Sequence, residues 1–437
     1  MTNSDLRRVV RGGVLLPGEA GFDQGAKAWK LTVDQPVAAV VEAADADDVA
    51  ALVRYARGAG LTVSAQAGGH GASGDVDGAI LLRTTRLDNL EVHPERRVAR
   101  AGAGVTWGQV QTLAAAHGLT GLTGGATTVS VTGYTLGGGL SWFGRKYGVA
   151  ADSVRSVDVV DADGDQSTVS AESDPELFWA LRGGGGDFAL VTAVEFDLYP
   201  APALYGGRML WPAQRAPEVL AAFQELTAQA PRELTLWAGL LGFPGSPPTV
   251  AVDAAYLGET EEGQALLRRL DTIGDLISDS RGALKATELG DISGEPVDPV
   301  PVLLRAELLT GLDDRAVEIL LSTPIDPLVN VQIRQLGGAL GEPAPGGGAT
   351  GAVTEPYLLC MLGLSFTPEL ARAVDAKQGQ LARELGAYVS GRKPHTFLAP
   401  GESAEAAFSG RTLTRLREIK RARDPHDVFR ANFPILR

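Results

Sequence analysis

Between residues 36 and 200, short apolar runs alternate with amphipathic segments. The run VAAVVEA is followed by DADDVAALVRYARGAG, in which apolar residues recur at helical spacing, and then by LTVSAQ. This order predicts a strand, a helix and a second strand. Asp45 or Asp47 can cap the helix, and Gly58 or Gly60 can end it. The second strand therefore leads directly into the glycine-rich segment AGGHGASG.

The remaining pattern divides the chain into two parts. Up to residue 200 it predicts further short strands, the helix TWGQVQTLAAAHG, and a hairpin in SVRSVDVVDADGDQSTVS whose turn is DADGD. After residue 200, longer helical segments such as PEVLAAFQELTAQA and TEEGQALLRRLDTI separate apolar runs such as LTLWAGLLGF and YLLCMLGLSF. We therefore predict a second α+β domain there. The last segment, ANFPILR, is too short to be a domain and must pack back on the rest.

Composition and charge narrow the function classes. The chain has 437 residues, of which 44% are hydrophobic and 21% charged, as in an ordinary globular protein. The formal net charge of −14 argues against a nucleic-acid partner or an acidic membrane, since both require a basic surface. One cysteine excludes an intrachain disulfide framework, and no two histidines stand at metal-ligand spacing, so we expect no metal site. No stretch is apolar enough for a signal peptide or a membrane span, which predicts a cytoplasmic protein.

Two segments resemble nucleotide-binding motifs without meeting all of their requirements. Residues 69–74 match G-x-G-x-x-G, but the turn and strand DVDGAILL follow, whereas the Rossmann motif requires a helix N-terminus at the pyrophosphate. Residues 139–146 resemble a P-loop but lack its Lys-Ser/Thr pair in register. The chain contains neither G-x-S-x-G nor H-E-x-x-H, so hydrolase motifs are absent as well.

Three glycine clusters remain, at 68–74, 124–139 and 182–188. Backbone N–H groups in such loops can bind an extended anion such as a pyrophosphate without lysines. Three clusters in one domain predict a dinucleotide site, although each one alone also fits ordinary turn chemistry. His70 stands between glycines at the end of a predicted strand, where its imidazole can contact a ligand or form a bond to it.

These segments resemble the FAD-linked oxidoreductases of the vanillyl alcohol oxidase / p-cresol methylhydroxylase superfamily, and most of all the berberine bridge enzyme-like oxidases of actinomycetes. The resemblance runs from Ala28 to Asn432 and rests on VSAQAGGHGASG, TLGGGLSWFGRKYGVAADSV, DPELFWALRGGGGDFALVTAVEFDLYP and DPHDVFRANF. It implies an α+β, two-domain FAD-binding fold of the p-cresol methylhydroxylase type. The FAD domain, with two α+β subdomains, would cover 1–200, a substrate domain of antiparallel sheet and covering helices 201–395, and a segment returning to the FAD domain 396–437.

The resemblance also implies where FAD binds. His70 corresponds to the histidine that bonds to the flavin 8α-methyl group. Many members form a second bond through a cysteine, but Ala126 stands at that position, so we expect a single histidyl link. Val129 falls at the position that gates oxygen, which favours an oxidase over a dehydrogenase. The other expected cofactor residues are Gly68, Gly69, Gly71, Ala72, Ser73, Gly74, Gly125, Thr127, Thr128, Gly133, Gly137, Gly138, Gly139, Asp152, Val191, Tyr388 and Asn432.

The chain departs from the family pattern near the expected catalytic site. Gln66 replaces the usual arginine, the Y-x-N motif reads Tyr-Val-Ser at 388–390, and Phe408 replaces a tyrosine before the last helix. An alcohol oxidation requires a base for the hydroxyl proton. The candidates are Tyr388, which we prefer, and then Tyr357, Glu355 and Glu307. Tyr134, inside the second glycine cluster, either faces the flavin or packs in the core.

The predicted function is an FAD-dependent oxidase of a small, mostly uncharged secondary metabolite. It would oxidise an alcohol, a sugar hydroxyl or a C–H bond by hydride transfer to flavin N5, with O2 reoxidising the flavin. We expect a monomer or homodimer whose partners are a small-molecule substrate and O2, without nucleic acid, membrane or metal. Two alternatives stay open: an enzyme that uses bound flavin in a non-redox cyclisation or rearrangement, and a flavin-holding binding protein without turnover.

Overall fold

The computed structural model describes residues 3–437. Its first sheet has four strands, in the spatial order Gly13–Leu15, Ala39–Glu42, Ile80–Arg83 and Val63–Gln66. The helix Ala46–Ala59 connects two of them. It begins at Asp45, whose carboxylate accepts the N–H groups of Asp47 and Asp48, and ends at Gly60 in the left-handed conformation. Both predicted caps are thereby confirmed, and the strand Val63–Gln66 runs into the first glycine cluster.

The second sheet is antiparallel and holds the predicted hairpin. Its strands, in spatial order, are Leu90–His93, Val98–Gly102, Leu190–Asp197, Val154–Val160 and Gln166–Ser170. The predicted hairpin turn is confirmed, because the Asp161 carboxylate accepts the N–H groups of Asp163 and Asp165. The helices Trp107–Ala115 and Pro175–Leu181 contribute Trp107 and Phe178 to the core beneath this sheet. A two-stranded sheet, Leu119–Thr120 with Tyr199–Pro200, completes this part.

The third sheet, called the large sheet below, is antiparallel throughout. Its eight strands are Leu204–Pro212, Leu234–Leu241, Thr249–Tyr256, Ser278–Asp279, Gly282–Leu284, Val302–Leu309, Leu328–Gln335 and Tyr357–Leu364. Helices cover one face, the longest being Ala216–Gln229 and Pro368–Glu384. Side chains alternate between the faces of a strand. Val331 and Ile333 therefore pack under the helices, while Asn330, Gln332 and Arg334 point to the opposite face.

The C-terminal segment lies against the second and first sheets. Lys420, on the last helix, donates to the carbonyl oxygens of Asp187 (2.9 Å) and Phe429 (2.8 Å). The Asp187 carboxylate in turn accepts the N–H groups of Ala431 and Ile435. Because these groups are buried, their mutual hydrogen bonds fix residues 429–435 in place. The remaining α-helices are Phe22–Ala26, Val131–Leu136, Gly144–Tyr147, Thr260–Leu267, Leu289–Ser293, Asp314–Leu321 and Gly410–Arg423.

The described residues lack two kinds of feature. None of the helices in 3–437 combines the length and apolar character needed to cross a membrane. Over the same residues, no cluster of three or more histidine, cysteine or acidic side chains is arranged to hold a metal ion.

Candidate active site

A cavity of about 620 Å³ lies between the glycine clusters and the uncovered face of the large sheet. One wall, called the glycine wall below, is mostly backbone and consists of Gly68, Gly69, His70, Gly71, Gly124, Gly125, Ala126, Gly133, Gly137, Gly185 and Gly186. The facing wall, called the sheet wall, presents side chains and consists of Arg208, Leu241, Asn330, Gln332, Arg334, Cys360 and Leu362, with Glu295 beside them. Residues 430–433 also reach the cavity.

His70 is the chemically distinctive group of the glycine wall. Its ring stacks on Trp29 with centroids 4.3 Å apart, and its Nε2 lies 3.3 Å from Thr128 Oγ1. Nδ1 has no hydrogen-bond partner in 3–437. Burial, and secondarily the charge of Lys30, lowers the His70 pKa to about 4. At neutral pH the imidazole is therefore uncharged and carries a nucleophilic lone pair.

Several buried polar atoms in the cavity have no partner within the protein. They belong to Gln66 (Oε1), Thr132 (Oγ1), Tyr134 (OH) and His395 (Nε2), all of which line the cavity. An unsatisfied buried polar group costs about 1–3 kcal/mol, so such groups are normally paired. Gly185 shows how closely the backbone approaches, because a Cβ there would lie 3.0 Å from His395. The glycine wall therefore fits a large ligand rich in hydrogen-bonding groups, such as a dinucleotide.

The sheet wall carries two ion pairs. Arg334 lies 3.2 Å from Glu295, and its guanidinium lies 3.9 Å from the centre of the Trp237 ring. Arg208 binds the buried carboxylate of Asp253 through two hydrogen bonds of 2.6 and 2.8 Å. Both arginine charges are therefore compensated. Glu295 is the one carboxylate among the cavity-lining residues that the structure describes.

Asn330 and Tyr134 each bring an unpaired polar atom to the cavity. Asn330 Oδ1 on the sheet wall and the Tyr134 hydroxyl are buried without a partner in residues 3–437. Burial raises the pKa of Tyr134, so its hydroxyl stays protonated at all physiological pH values. It can therefore donate or accept a hydrogen bond but cannot serve as a base. The sequence left open whether Tyr134 faces the ligand or packs in the core. In the structure Tyr134 lines the cavity, and its ring also packs edge-on against Trp107.

Comparison with known proteins identifies the ligand class. The FAD-binding domain family matches residues 37–170. (R)-6-hydroxynicotine oxidase of Paenarthrobacter nicotinovorans is 29% identical over 98% of this chain and 97% of that protein. The crystal structure of 6-hydroxy-D-nicotine oxidase from Arthrobacter nicotinovorans superposes with a TM-score of 0.83 at 26% identity, covering 96% of this chain and 97% of that one. The chain is a flavoprotein of the vanillyl alcohol oxidase / p-cresol methylhydroxylase superfamily. It is accordingly an FAD-dependent oxidoreductase with a berberine bridge enzyme-like fold.

Other relatives of this flavoprotein are similar over shorter stretches or in fold alone. An FAD-dependent monooxygenase of Cochliobolus heterostrophus is 37% identical over 46% of this chain and 40% of that protein. A berberine bridge enzyme-like protein of Physcomitrella patens has a TM-score of 0.88 at 18% identity, covering 100% of this chain and 99% of that one. At that identity the match concerns the fold. It includes the large sheet as well as the FAD-binding part.

The structure brings ten of the expected cofactor residues of the flavoprotein to the cavity. These are Gly68, Gly69, His70, Gly71, Gly125, Ala126, Gly133, Gly137, Val191 and Asn432. Thr128 does not line the cavity, but its Oγ1 lies 3.3 Å from His70 Nε2. Val129, expected at the oxygen-gating position, also lines the cavity.

Other expected cofactor residues do not line the cavity. They are Ala72, Ser73, Gly74, Thr127, Gly138, Gly139 and Asp152. Gly138 instead packs on Thr350, and Gly139 packs on the ring of Tyr134. Asp152 lies against another loop, where its carboxylate accepts the Gly348 N–H at 3.4 Å and burial raises its pKa. These residues belong to the loops behind the wall, and their contact with the ligand stays a prediction.

The two expected catalytic tyrosines lie away from the cavity, and strand alternation is the reason for Tyr357. Tyr357 lies on the helix-covered face, where its hydroxyl is 2.8 Å from Thr227 Oγ1. Tyr388, expected both as base and as cofactor contact, packs against the same helix-covered cluster and donates its hydroxyl to Asp313 at 2.6 Å. Neither residue lines the cavity. Their positions do not favour either tyrosine as the base, since a base must reach the proton that it removes.

The two expected acidic candidates are also outside the cavity. Glu355 is buried and lies 3.7 Å from Arg392. Glu307 is buried on the helix-covered face, bonded to Arg305 (2.7 Å) and 3.3 Å from Lys393. The polar side chains that line the sheet wall were not among the site residues predicted from the sequence. A signal for them exists in LVNVQIRQ, where the period of two puts an asparagine, a glutamine and an arginine on one face.

Proposed function

We propose that this flavoprotein is an oxidase that binds FAD covalently through His70 alone, oxidises a small metabolite against the sheet wall and passes the electrons to O2. One observation carries the proposal: a single cavity holds a neutral histidine on the glycine wall and a carboxylate–arginine pair, Glu295 with Arg334, on the sheet wall. The names of the oxidase relatives support O2 as the acceptor.

The environment of His70 supports a histidyl link. A neutral imidazole is the nucleophilic form, and burial keeps it neutral at pH 7. Contacts with Trp29 and Thr128 hold the ring in one orientation. Ala126 offers no second nucleophile on the glycine wall, and Cys360 lines the opposite wall, where burial raises the pKa of its thiol. A single link therefore accounts best for the residues present.

In the proposed reaction, a bound flavin supplies the two-electron acceptor for a hydride leaving the substrate carbon. Glu295 is the base we propose, because it is the one carboxylate that lines the cavity in the described residues. It would take the proton from the substrate hydroxyl or amine group. Arg334, which lies 3.2 Å from it, would fix the orientation of the carboxylate. Asn330 and Tyr134, whose polar atoms lack partners, would orient the substrate by hydrogen bonds.

The remaining lining of the sheet wall supports a substrate with an apolar body. Leu241, Val302, Val329, Leu362 and Leu364 line the cavity beside the polar groups. Apolar side chains of this kind bind hydrocarbon or aromatic groups and exclude water. We therefore propose a metabolite that joins an apolar ring or chain to one oxidisable polar group.

The covalent link can be tested on the purified protein. After acid precipitation, we expect flavin absorbance in the washed pellet and an FAD mass on the peptide that contains His70. A colourless pellet with free FAD in the supernatant would contradict the link, and the absence of flavin would contradict the whole proposal. Oxidase activity is tested by measuring peroxide from a panel of apolar alcohols and amines. Turnover without peroxide or flavin bleaching would favour the non-redox alternative.

A further inference from the structure

The segment 29–32 connects the two walls of the cavity. The Trp29 N–H donates to the Gly68 carbonyl oxygen at 3.0 Å, which ties the segment to the glycine wall. On the other side, the Leu31 N–H donates to the Val300 carbonyl oxygen at 3.0 Å, next to the first strand residues of the sheet wall. Lys30 lies between these two attachments and lines the cavity. Its backbone position is therefore fixed at the junction of the walls.

Lys30 is a cation without a counter-charge in contact. Its ammonium group has no hydrogen bond or ion pair with any residue of 3–437. The carboxylate that attracts this ammonium group through space is that of Glu402, which is itself paired with Lys393. Burial lowers the pKa of Lys30 to about 8, so most of the molecules carry the charge at pH 7. Lys30 is half-buried, and a desolvated charge without a partner is costly, so such groups normally meet an opposite charge.

Two of the other cations of the cavity are paired with carboxylates, unlike Lys30. Arg208 is neutralised by Asp253, and Arg334 by Glu295. Arg430 donates to the carbonyl oxygen of Asp77, on the exposed side. The neighbouring His70 is uncharged. The His70 end of the cavity therefore carries the uncompensated positive charge of Lys30, and its electrostatics favour an anion over an amine cation.

We propose that Lys30 forms an anion-binding subsite at the His70 end of the cavity, and that the subsite takes an oxyanion. The oxyanion is either a carboxylate of the substrate or a phosphate of FAD, since both present charged oxygens to an ammonium group. The first source deepens the proposed function, because it directs the oxidase toward acidic metabolites and against cationic amines. The second source assigns Lys30 to cofactor binding. In both cases the residue acts by charge.

The test compares three variants of the flavin-loaded protein. Lys30→Met removes the charge and keeps much of the side-chain volume, and Lys30→Arg keeps the charge. Lys27→Met is the matched control, because Lys27 is exposed and lies three residues earlier in the same segment. Two quantities are measured on each: the FAD content per protein, and the dissociation constants of benzoate and benzamide from the change in flavin absorbance. Benzamide matches benzoate in shape but carries no charge.

The two sources give different results. If the subsite takes a substrate carboxylate, Lys30→Met weakens benzoate about tenfold or more, changes benzamide little, and leaves FAD content intact. If it takes a cofactor phosphate, the FAD content of Lys30→Met falls, while Lys30→Arg retains it. The proposal is overturned if Lys30→Met equals Lys27→Met in FAD content and in its response to benzoate, including the case in which neither responds. That outcome leaves the proposed oxidase function intact, whereas a wild-type protein without flavin would remove that function instead.

Discussion

The two walls of the cavity are built from different chemical material. The glycine wall offers backbone N–H groups, small side chains and a neutral imidazole, and its shape is set by tight loops. The sheet wall offers charged and amide side chains on strands, arranged in ion pairs such as Glu295 with Arg334. Backbone groups change little when the sequence changes, whereas side chains on a strand can be exchanged one by one. We infer that the first wall determines which cofactor binds and the second determines which substrate reacts.

The sharpest test of this division concerns His70. His70→Ala removes the one nucleophile that we propose for the flavin link, so we expect an acid-precipitated pellet without any flavin absorbance. His93→Ala is the control, because His93 is partly exposed and lies outside the cavity. A yellow pellet from His70→Ala would contradict the role of the glycine wall proposed here.

The second test concerns the sheet wall. Glu295→Gln keeps the size of the side chain but removes the proposed base, so we expect turnover to fall by about 10²–10⁴-fold, the range typical of general base catalysis. FAD content is expected to stay at the wild-type level. Peroxide formation and flavin absorbance together measure both quantities. Tyr388→Phe, outside the cavity, is expected to retain activity, and a large loss there would revive Tyr388 as the base.

The third test asks whether the glycine wall depends on backbone conformation. Gly185 has φ +90°, where side chains are strained, and a Cβ there would lie 3.0 Å from His395. We expect Gly185→Ala to lower the free energy of unfolding by about 1–3 kcal/mol and to reduce FAD content. Gly186→Ala is the control, because its Cβ would meet only Leu136 at 3.7 Å. Thermal unfolding of both variants measures the difference, and equal melting temperatures would contradict the argument.

The smallest expected effect comes from His395, which lies against the glycine wall. Burial lowers its pKa to about 4, below the unfolded value of about 6.5. The unfolded chain therefore binds a proton that the folded protein does not, and stability is lost as pH falls from 6.5 toward 4. His395→Phe removes this titration. Between pH 7.5 and 5, we expect wild-type protein to lose about 1–2 kcal/mol more than the variant in denaturant unfolding. Parallel losses would show that the imidazole is not held neutral.

The helix ends and the hairpin turn could be predicted from the sequence because residues close in the chain determine them. Asp45 and Gly60 end a helix by bonds within a few positions, and the turn at 161–165 is closed by its own aspartate. The glycine clusters and His70 follow the same logic, since a tight loop at a strand end is a local feature. Thr127 and Asp152 show its limit, because a residue inside such a loop faces the ligand or the protein depending on what packs behind it. The domain boundaries at 200 and 395 stay a prediction.

Only the tertiary structure decided the sheet wall and the Lys30 subsite. The period of two in LVNVQIRQ separates two faces, but which face is covered by helices depends on segments far away in the chain. Tyr357 and Glu307 fell on the covered face for that reason, and Glu295 came to the cavity from an irregular segment without a pattern of its own. Lys30 meets Val300 across some 270 positions in sequence. Local patterns encode local geometry, whereas the meeting of distant charges depends on how the completed sheets pack against each other.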